Sequence, residues 1–266
     1  MFASPSSKIV LVTGANQGIG FQIAKSLSSK PGYHVLVGSR DIQRGIEAAK
    51  DLQEQGLNAE PITIEYVSFI VTKLNPQEWI DYVEIQTLTQ DVTSDNSIAE
   101  VVQQVKSKFG RLDVLINNAG VCLNDERISP PSLRNFQDTF AVNTFGATLT
   151  TEAFIPLLTA SSAPRVVFVS SFMGSLTHRP ESPVPLPIYR SSKAALNMIM
   201  LHYALKYKDA GWKVNATCPG YCATNLNGFV GKDDPADGAL NAVRLATMGE
   251  DGETGTFSNK EGSLAW

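Results

Sequence analysis

The chain is poor in cysteine and histidine, and it carries no excess of positive charge. Its three cysteines, Cys122, Cys218 and Cys222, are an odd number without metal-ligand spacing, and only three histidines could assist them. This pattern argues against a disulfide framework or a metal site and predicts reduced, structural thiols. The formal net charge of −4 argues against a surface for nucleic acid or for an anionic membrane.

Long apolar runs are absent as well. Residues 1–8 contain no apolar core of signal-peptide length, and nowhere do about 18 apolar residues follow one another, so we expect a cytoplasmic protein. The chain does contain 266 residues, 43% of them hydrophobic, which is enough for one large domain. Apolar runs alternate with helical patterns, and this alternation predicts an α/β fold.

A glycine-rich turn follows the first apolar run, residues 9–12. It reads Thr13-Gly14-Ala15-Asn16-Gln17-Gly18-Ile19-Gly20, and the apolar residues beyond it recur at helical spacing. Glycines at a strand-to-helix turn let the backbone approach a bound group closely, and the N–H groups of the following helix favour an anion. The turn is a candidate site for a dinucleotide pyrophosphate, although glycines also serve tight turns for geometry alone.

A second predicted strand, residues 33–38, ends at Ser39-Arg40-Asp41. At this point an acid accepts hydrogen bonds from the adenosine ribose of NAD, whereas a cation meets the additional phosphate of NADP. Arg40 comes first, and a guanidinium suits a bidentate phosphate contact, so NADP is favoured over NAD. In the alternative interpretation Arg40 is a solvated surface residue and Asp41 holds the ribose.

An unusually long connection follows the third predicted strand, residues 61–66. About 24 residues, Val67 to Gln90, precede Asp91, and a connection of that length is uncommon inside an α/β unit. It is either a surface excursion near the adenine end of a cofactor or an in-frame retained intron. The intron hypothesis arises because the first two residues can be encoded by the donor-like GTAAGT and the last three by the acceptor-like CTGACACAG. Retention of the segment in every mature transcript would contradict it.

Small and polar residues follow the later apolar strands, at the sheet edge where open α/β sheets bind ligands. The run Asn117-Asn118-Ala119-Gly120 follows one strand, and Ser171 ends the strand predicted at residues 165–171. A long helix predicted over residues 132–158 contains Asn143. A lone asparagine in an apolar stretch is more often a core amide with its hydrogen bonds satisfied.

Tyr189 and Lys193 stand four residues apart in a helical pattern, so their side chains share one face of the helix. An ammonium beside a phenol stabilises the phenolate and lowers the phenol pKa from about 10 toward neutrality, which predicts a usable acid or base. Such pairs are also common on surfaces, and the spacing alone does not decide between the two interpretations.

Together these motifs resemble the short-chain dehydrogenase/reductase family, and most of all its carbonyl-reductase-like branch, over nearly the whole chain. The matching residues are the glycine turn, Asp91-Val92, Asn117-Asn118-Ala119-Gly120, Asn143, Ser171, Tyr189-Arg190-Ser191-Ser192-Lys193, Pro219-Gly220 and Thr224. The resemblance implies a Rossmann-type, doubly wound parallel sheet in three layers. It also implies a single NAD(P)-binding domain over residues 1–266 with an insertion at about 67–90.

The resemblance further implies an NADPH-dependent oxidoreductase that reduces an aldehyde, ketone or quinone to an alcohol, reversibly in principle. Ser171 would hydrogen-bond the carbonyl oxygen, and Tyr189 would give that oxygen a proton. Lys193 would hold the nicotinamide ribose and keep Tyr189 acidic, while Asn143 would position a water that connects Lys193 to solvent. The alternative function is a catalytically silent NADP-binding redox sensor or regulatory protein.

The implied partners are a dinucleotide and a small-molecule carbonyl or alcohol, without metal, nucleic acid or membrane. The cofactor-binding residues implied are Gly14, Asn16, Gln17, Gly18, Ile19, Gly20, Arg40, Asp91, Val92, Asn118, Ala119, Gly120, Tyr189, Lys193, Pro219, Gly220 and Thr224. Apolar residues expected near the cleft are Phe172, Met173, Tyr221, Leu226 and Phe229, which favour an apolar substrate. The proline-rich loop before Tyr189 has an intermediate length for the family, so its length does not distinguish a monomer from a homo-oligomer.

Overall fold

A single sheet runs through a computed structural model that describes residues 7–62, 91–123, 130–178 and 184–266. Its strands are β1 (Lys8–Val12), β2 (Tyr33–Gly38), β3 (Ala59–Ile62), β4 (Val114–Asn117), β5 (Arg165–Val169), β6 (Lys213–Thr217), β7 (Phe257–Asn259) and β8 (Gly262–Ser263). Their order is β3-β2-β1-β4-β5-β6-β7-β8. Neighbouring strands are parallel except β7 and β8, which are antiparallel.

Helices cover both faces of the sheet. They are α1 (Gly18–Ser28), α2 (Ile42–Glu54), α3 (Asp95–Phe109), α4 (Leu133–Phe140), α5 (Ala147–Thr159), α6 (Pro187–Lys206) and α7 (Pro235–Thr247). Within the described residues, none of them is long and apolar enough to cross a membrane.

The alternation of side chains along the buried strands builds the three layers. On β1, Ile9 and Leu11 pack in a cluster with apolar residues of α3, α5 and α6. Val10 and Val12 point to the opposite face and pack with residues of α1, α2 and α7. A parallel strand covered by helices on both faces is buried on both sides, which is why residues 9–12 appear in the sequence as an unbroken apolar run. The predicted doubly wound α/β fold is confirmed.

The strand order reverses between β1 and β4, and this reversal locates the site. The chain proceeds outward from β1 through β2 to β3 and then returns to pair β4 with the other side of β1. Residues at the carboxyl ends of these two strands lie side by side, because Val12 is in register with Ile116. A crevice outside the carboxyl ends of the strands at such a reversal is where open α/β sheets bind ligands.

The helix predicted over residues 132–158 is interrupted by a π-helical segment. Helices α4 and α5 are separated by Ala141–Gly146, which has π-helical hydrogen bonding. The segment contains Asn143, whose amide is engaged outside the helix with the backbone of Val121 and with Ser192. A side-chain pattern reports which face of a helix is apolar and not the width of each turn, so the sequence could not distinguish this segment from α-helix. Such π-turns are frequent at functional sites.

The third strand begins earlier than predicted, at Ala59 instead of residue 61. The predicted continuation over residues 63–66 and the whole 67–90 connection lie outside the described residues. Asp91 lies in a turn that precedes α3. Its carboxylate accepts hydrogen bonds from the N–H and hydroxyl of Thr93, at 2.9 and 2.7 Å.

A charged cluster joins β2, β3 and α3 and leads to a prediction about stability. Glu60 lies 3.1 Å from Nε2 of the buried His34 and 2.7 Å from Nζ of Lys108. Burial by itself would raise the pKa of Glu60, but the interactions with His34 and Lys108 hold it below its ordinary value. The ionised carboxylate therefore stabilises the fold above the ordinary carboxyl pKa, and this contribution is lost as the pH falls through the lowered pKa. We expect Glu60→Gln to reduce the free energy of unfolding by about 1–2 kcal/mol at neutral pH, measured by urea denaturation.

A matched control for this variant is Glu54→Gln. Glu54 also pairs with a lysine, Lys50, but at 3.6 Å and with side chains that are 67% and 69% exposed. An exposed pair contributes little, so the unfolding free energy should change by less than about 0.5 kcal/mol. Equal effects of the two substitutions, or an effect of Glu60→Gln that persists in strong acid, would contradict the assigned role of the Glu60 carboxylate.

Candidate active site

A cleft of about 790 Å³ lies outside the carboxyl ends of the central strands. It gathers residues from the turn after β1, the end of β2, and the segments that follow β4, β5 and β6. The sequence-predicted residues that line it are Gly14, Asn16, Gln17, Gly18, Ile19, Gly20, Arg40, Asp91, Val92, Asn118, Ala119, Gly120, Ser171, Tyr189, Lys193, Pro219, Gly220 and Thr224. The structure thus brings together the glycine turn and the proposed catalytic side chains.

The glycine turn is fixed against the end of β4. The side-chain amide of Asn118 donates to the carbonyls of Thr13 and Gly14, at 2.9 and 3.1 Å. A Cβ at Gly20 would lie 2.3 Å from that amide nitrogen and 2.5 Å from the Gly14 carbonyl oxygen, so only glycine fits there. Asn118 borders the cleft, but its amide is used to hold the turn.

The turn has the features that a dinucleotide requires. Helix α1 begins at Gly18, which lines the cleft. No capping side chain accepts hydrogen bonds from the N–H groups of its first turn. Backbone without side chains allows a pyrophosphate to approach, and the helix N-terminus favours its charge. The residues present therefore fit a nicotinamide dinucleotide bound across the strand ends.

Arg40 and Asp41 have different surroundings at the end of β2. Arg40 is exposed and lines the cleft. Asp41 caps α2 by accepting the Arg44 N–H at 3.1 Å, and its second carboxylate oxygen lies 3.5 Å from the Arg44 guanidinium. The Asp41 carboxylate is thus directed to α2, while the arginine borders the cleft.

Ser171, Tyr189 and Lys193 converge at the other part of the cleft. Helix α6 begins at Pro187, so the predicted pair Tyr189 and Lys193 is helical, with Nζ of Lys193 lying 5.8 Å from the centre of the Tyr189 ring. The Ser171 hydroxyl lies close enough to the Tyr189 phenol to lower its pKa. The turn after Ser171 packs directly on α6, because a Cβ at Gly174 would lie 2.7 Å from the main-chain carbon of Lys193.

The pKa of Tyr189 differs from the sequence-based expectation. Burial raises the pKa of this phenol well above its ordinary value, and the nearby Ser171 hydroxyl only partly offsets the rise. Lys193 is 4% exposed and donates to the Val169 carbonyl at 2.9 Å. Burial lowers the pKa of Lys193 to about 8. The expectation of a Tyr189 pKa lowered toward neutrality is not met, because desolvation of both groups disfavours their charged forms.

Asn143 and Asn117 are buried behind the cleft and do not line it. The Asn143 amide pairs with both backbone groups of Val121, at 2.8 and 2.9 Å, and donates to the Ser192 hydroxyl at 3.0 Å. Asn143 Oδ1 and Lys193 Nζ both lie beside Gly120, 3.4 and 3.5 Å from where its Cβ would be. Asn117 donates to the Thr151 hydroxyl at 2.9 Å and so supports the strand end from within.

Comparison with known proteins identifies the chain. The family model described as short chain dehydrogenase matches residues 8–69 and 70–235. The chain belongs to the short-chain dehydrogenase/reductase family. As a short-chain dehydrogenase/reductase it is an oxidoreductase, and the predicted family is confirmed.

Relatives within the short-chain dehydrogenase/reductase family match over their whole length. The short-chain dehydrogenase/reductase ATR10 of Stachybotrys chlorohalonatus is 37% identical over 274 residues, which cover 97% of this chain and 90% of the relative. The (+)-neomenthol dehydrogenase of Capsicum annuum is 30% identical over 95% of each chain. Among solved structures, the NADPH-bound carbonyl reductase from chicken fatty liver is 25% identical, with a TM-score of 0.77 over 98% of this chain and 99% of the other.

Several lining residues of this short-chain dehydrogenase/reductase were not among the sequence-based candidates. They are Thr93, Val121, Cys122, Leu123, Val142, Val169, Ser170, Leu186, Cys222, Asn225, Asn227 and Val230. The position of Cys122 and Leu123 directly after Gly120 was a signal for them. Of the expected apolar residues, Phe172, Met173, Tyr221 and Leu226 line the cleft, whereas Phe229 is 68% exposed and does not.

The cysteines differ from one another in their surroundings. None of the three forms a disulfide in the part of the chain that the structure describes. Cys218 is buried and its sulfur accepts the Phe172 N–H at 3.2 Å, while burial raises the pKa of Cys222 to about 11. These two fit the predicted structural role. Cys122 and Cys222 both line the cleft, whereas Cys218 does not.

Proposed function

We propose that this oxidoreductase uses NADPH to reduce the carbonyl of a small or medium apolar aldehyde, ketone or quinone to an alcohol. The observation that carries the proposal is the meeting of Ser171, Tyr189 and Lys193 in the cleft that also contains the glycine turn. An alcohol, a phenol and an ammonium at one point are the groups needed to polarise and protonate a carbonyl oxygen.

In this proposal Ser171 donates a hydrogen bond to the substrate carbonyl oxygen, and Tyr189 donates the proton that converts this oxygen to a hydroxyl. A bound nicotinamide would supply the hydride to the carbonyl carbon. Because burial raises the pKa of Tyr189, the phenol holds its proton at neutral pH. The protonated phenol is the form that donates a proton during reduction, and in the reverse direction the same group would accept it.

Lys193 contributes a positive charge beside the phenol and donors for the nicotinamide ribose. Asn143 supports this arrangement from behind, since its amide holds Val121 and Ser192 next to Gly120 and Lys193. We assign the glycine turn to the pyrophosphate, and Asp91 and Val92 to the adenine. Pro219, Gly220 and Thr224 are assigned to the nicotinamide end.

The substrate class is proposed from the lining of the cleft. Apolar side chains from four separate segments border it, namely Leu123, Phe172, Met173, Leu186, Tyr221, Leu226 and Val230. Apolar walls with a few polar groups suit a neutral, apolar molecule. The names of the relatives agree with this class, because one is a dehydrogenase of neomenthol and another is a carbonyl reductase.

The proposed activity can be tested with a panel of aldehydes, ketones and quinones, by following the loss of NADPH absorbance. We expect turnover on at least one class of carbonyl, with the corresponding alcohol as the product. Tight NADPH binding without turnover on any of them would contradict the proposal and favour the redox sensor.

Arg40→Ala tests the preference for NADPH. We expect it to raise the dissociation constant for NADPH by about 10- to 100-fold, because a charge-assisted contact to the additional phosphate is lost. The dissociation constant for NADH should change by less than about twofold. Fluorescence titration with each dinucleotide measures both constants.

Arg44→Ala is the matched control for this variant. Arg44 is a neighbouring exposed arginine that pairs with Asp41 on α2 and does not line the cleft. It should leave both dissociation constants unchanged, since only general charge attraction is reduced. Equal weakening of NADPH and NADH by Arg40→Ala would remove the assignment of Arg40 to the phosphate.

A further inference from the structure

One loop of the cleft wall leaves the sheet after β6 and returns at the start of α7. Its outer part, residues 224–230, contributes Thr224, Leu226 and Val230 to the cleft lining. Thr224 also reaches the glycine turn, since a Cβ at Gly18 would lie 3.4 Å from the Thr224 methyl carbon. The same loop therefore borders the pyrophosphate turn and supplies apolar side chains to the rest of the cleft.

Asp233 connects the two ends of this loop at its base. Its N–H donates to the Tyr221 carbonyl at 3.1 Å, and its carbonyl accepts the Ala223 N–H at 2.9 Å. Its carboxylate oxygen Oδ2 accepts the Tyr221 N–H at 3.0 Å. The carboxylate also packs against Gly220, which has a φ of +88° and where a Cβ would lie 2.9 Å from Oδ2. Asp233 therefore holds the segment that follows β6, both through its backbone groups and through its carboxylate.

Hydrogen bonds within the loop connect its outer part to this base. The Asn227 amide donates to the Cys222 carbonyl at 2.9 Å, and its oxygen accepts the Thr224 N–H at 3.3 Å. The Phe229 N–H donates to the Thr224 carbonyl at 2.8 Å. Since Cys222 stands next to Tyr221, the position of the base determines the position of the residues that line the cleft.

We propose that Asp233 is a positioning residue for both ligands of the cleft. Its carboxylate holds the base of the loop, so that Thr224 is preset for the dinucleotide and Leu226 and Val230 are preset for the apolar substrate. The assignment of these ligands rests on the proposed function. Asp233 itself does not line the cleft, so it acts through the loop and not by contact with a ligand.

The physical effect of the carboxylate is preorganisation. A loop released at its base populates conformations that do not bind, and the apparent affinity of each ligand falls by the fraction of molecules that remain competent. Both ligands share the loop, so both affinities should fall together. The proton transfer from Tyr189 is unaffected once both ligands are bound, because Ser171, Tyr189 and Lys193 lie on other elements.

The test is Asp233→Ala in the full chain, with NADPH and with the best carbonyl from the panel. We expect the NADPH dissociation constant and the KM of the carbonyl to rise together, each by about tenfold, while kcat changes by less than about threefold. Chymotrypsin should cleave the variant after Tyr221 or Phe229 at least about fivefold faster than it cleaves the unaltered protein. The rate of proteolysis reports how ordered the loop is and does not require turnover. It therefore separates failure of this proposal from failure of the proposed function.

Two further variants distinguish a positioning role from a general loss of stability. Asp233→Asn should restore the affinities and the protease resistance to within about twofold, because its amide oxygen can accept the Tyr221 N–H. Asp234→Ala removes the adjacent acid, which caps α7 by accepting the Ala236 N–H at 2.8 Å. It should lower the melting temperature and leave the loop intact. Unchanged binding and proteolysis in Asp233→Ala, or equal loosening by Asp234→Ala, would overturn the proposal.

Discussion

Tyr189→Phe is expected to lower kcat for carbonyl reduction by about 1,000-fold while leaving the NADPH dissociation constant within about twofold of its original value. The substitution removes the hydroxyl that would donate the proton and keeps the ring that packs in the cleft wall. Ser171 can still hydrogen-bond the carbonyl oxygen, but the charge that develops there then lacks a proton donor. Single-turnover measurement of NADPH oxidation with saturating substrate gives the rate, and fluorescence titration gives the binding constant.

Tyr203→Phe is the matched control on the same helix. The Tyr203 phenol donates to Glu152 at 2.9 Å, and burial raises its pKa as it does for Tyr189. Because Tyr203 does not line the cleft, this variant should keep its turnover and lose about 1 kcal/mol of unfolding free energy at most. If Tyr189→Phe turns over at the original rate, the phenol is not the proton donor and the proposed function fails at its central step.

Lys193→Met should have the second large effect, a decrease in kcat of about 100-fold or more with weaker NADPH binding. Methionine retains the apolar stem and removes the ammonium beside Tyr189. The same charge gives a pH dependence, because burial lowers the Lys193 pKa to about 8. The ammonium is present below that pH and is lost above it, so kcat/KM for reduction should be level near neutrality and decline as the pH rises through about 8.

Lys206→Met is the corresponding control. Lys206 lies 5.3 Å over the ring of Tyr207 near the end of α6, so it reproduces the lysine and tyrosine arrangement away from the cleft. It should keep the original rate and the original pH profile. A decline of kcat/KM at the same pH in both Lys193→Met and the unaltered protein would assign the titration to another group.

The sequence by itself determined the framework of the fold and predicted most of the residues that line the cleft. Apolar strands buried on both faces, such as residues 9–12, are visible because most side chains of a parallel sheet between helices are packed in apolar surroundings. The glycine turn is visible because its geometry excludes side chains, and the Tyr189 and Lys193 spacing is visible because a helix repeats locally. These features depend on residues that are close together in the sequence, so they can be recognised from the sequence alone.

Tertiary structure decided the features that depend on contacts between distant segments. The π-helical turn at Asn143 accompanies hydrogen bonds to Val121 and Ser192, and the hold of Asn118 on Gly14 requires two strands side by side. The rise in the Tyr189 pKa comes from burial, which local spacing does not contain. Asp233 is one acid among many in the sequence, and only the closed loop makes it a partner of Tyr221. Spacing shows which side chains can meet, whereas desolvation and long-range hydrogen bonds determine what they do after they meet.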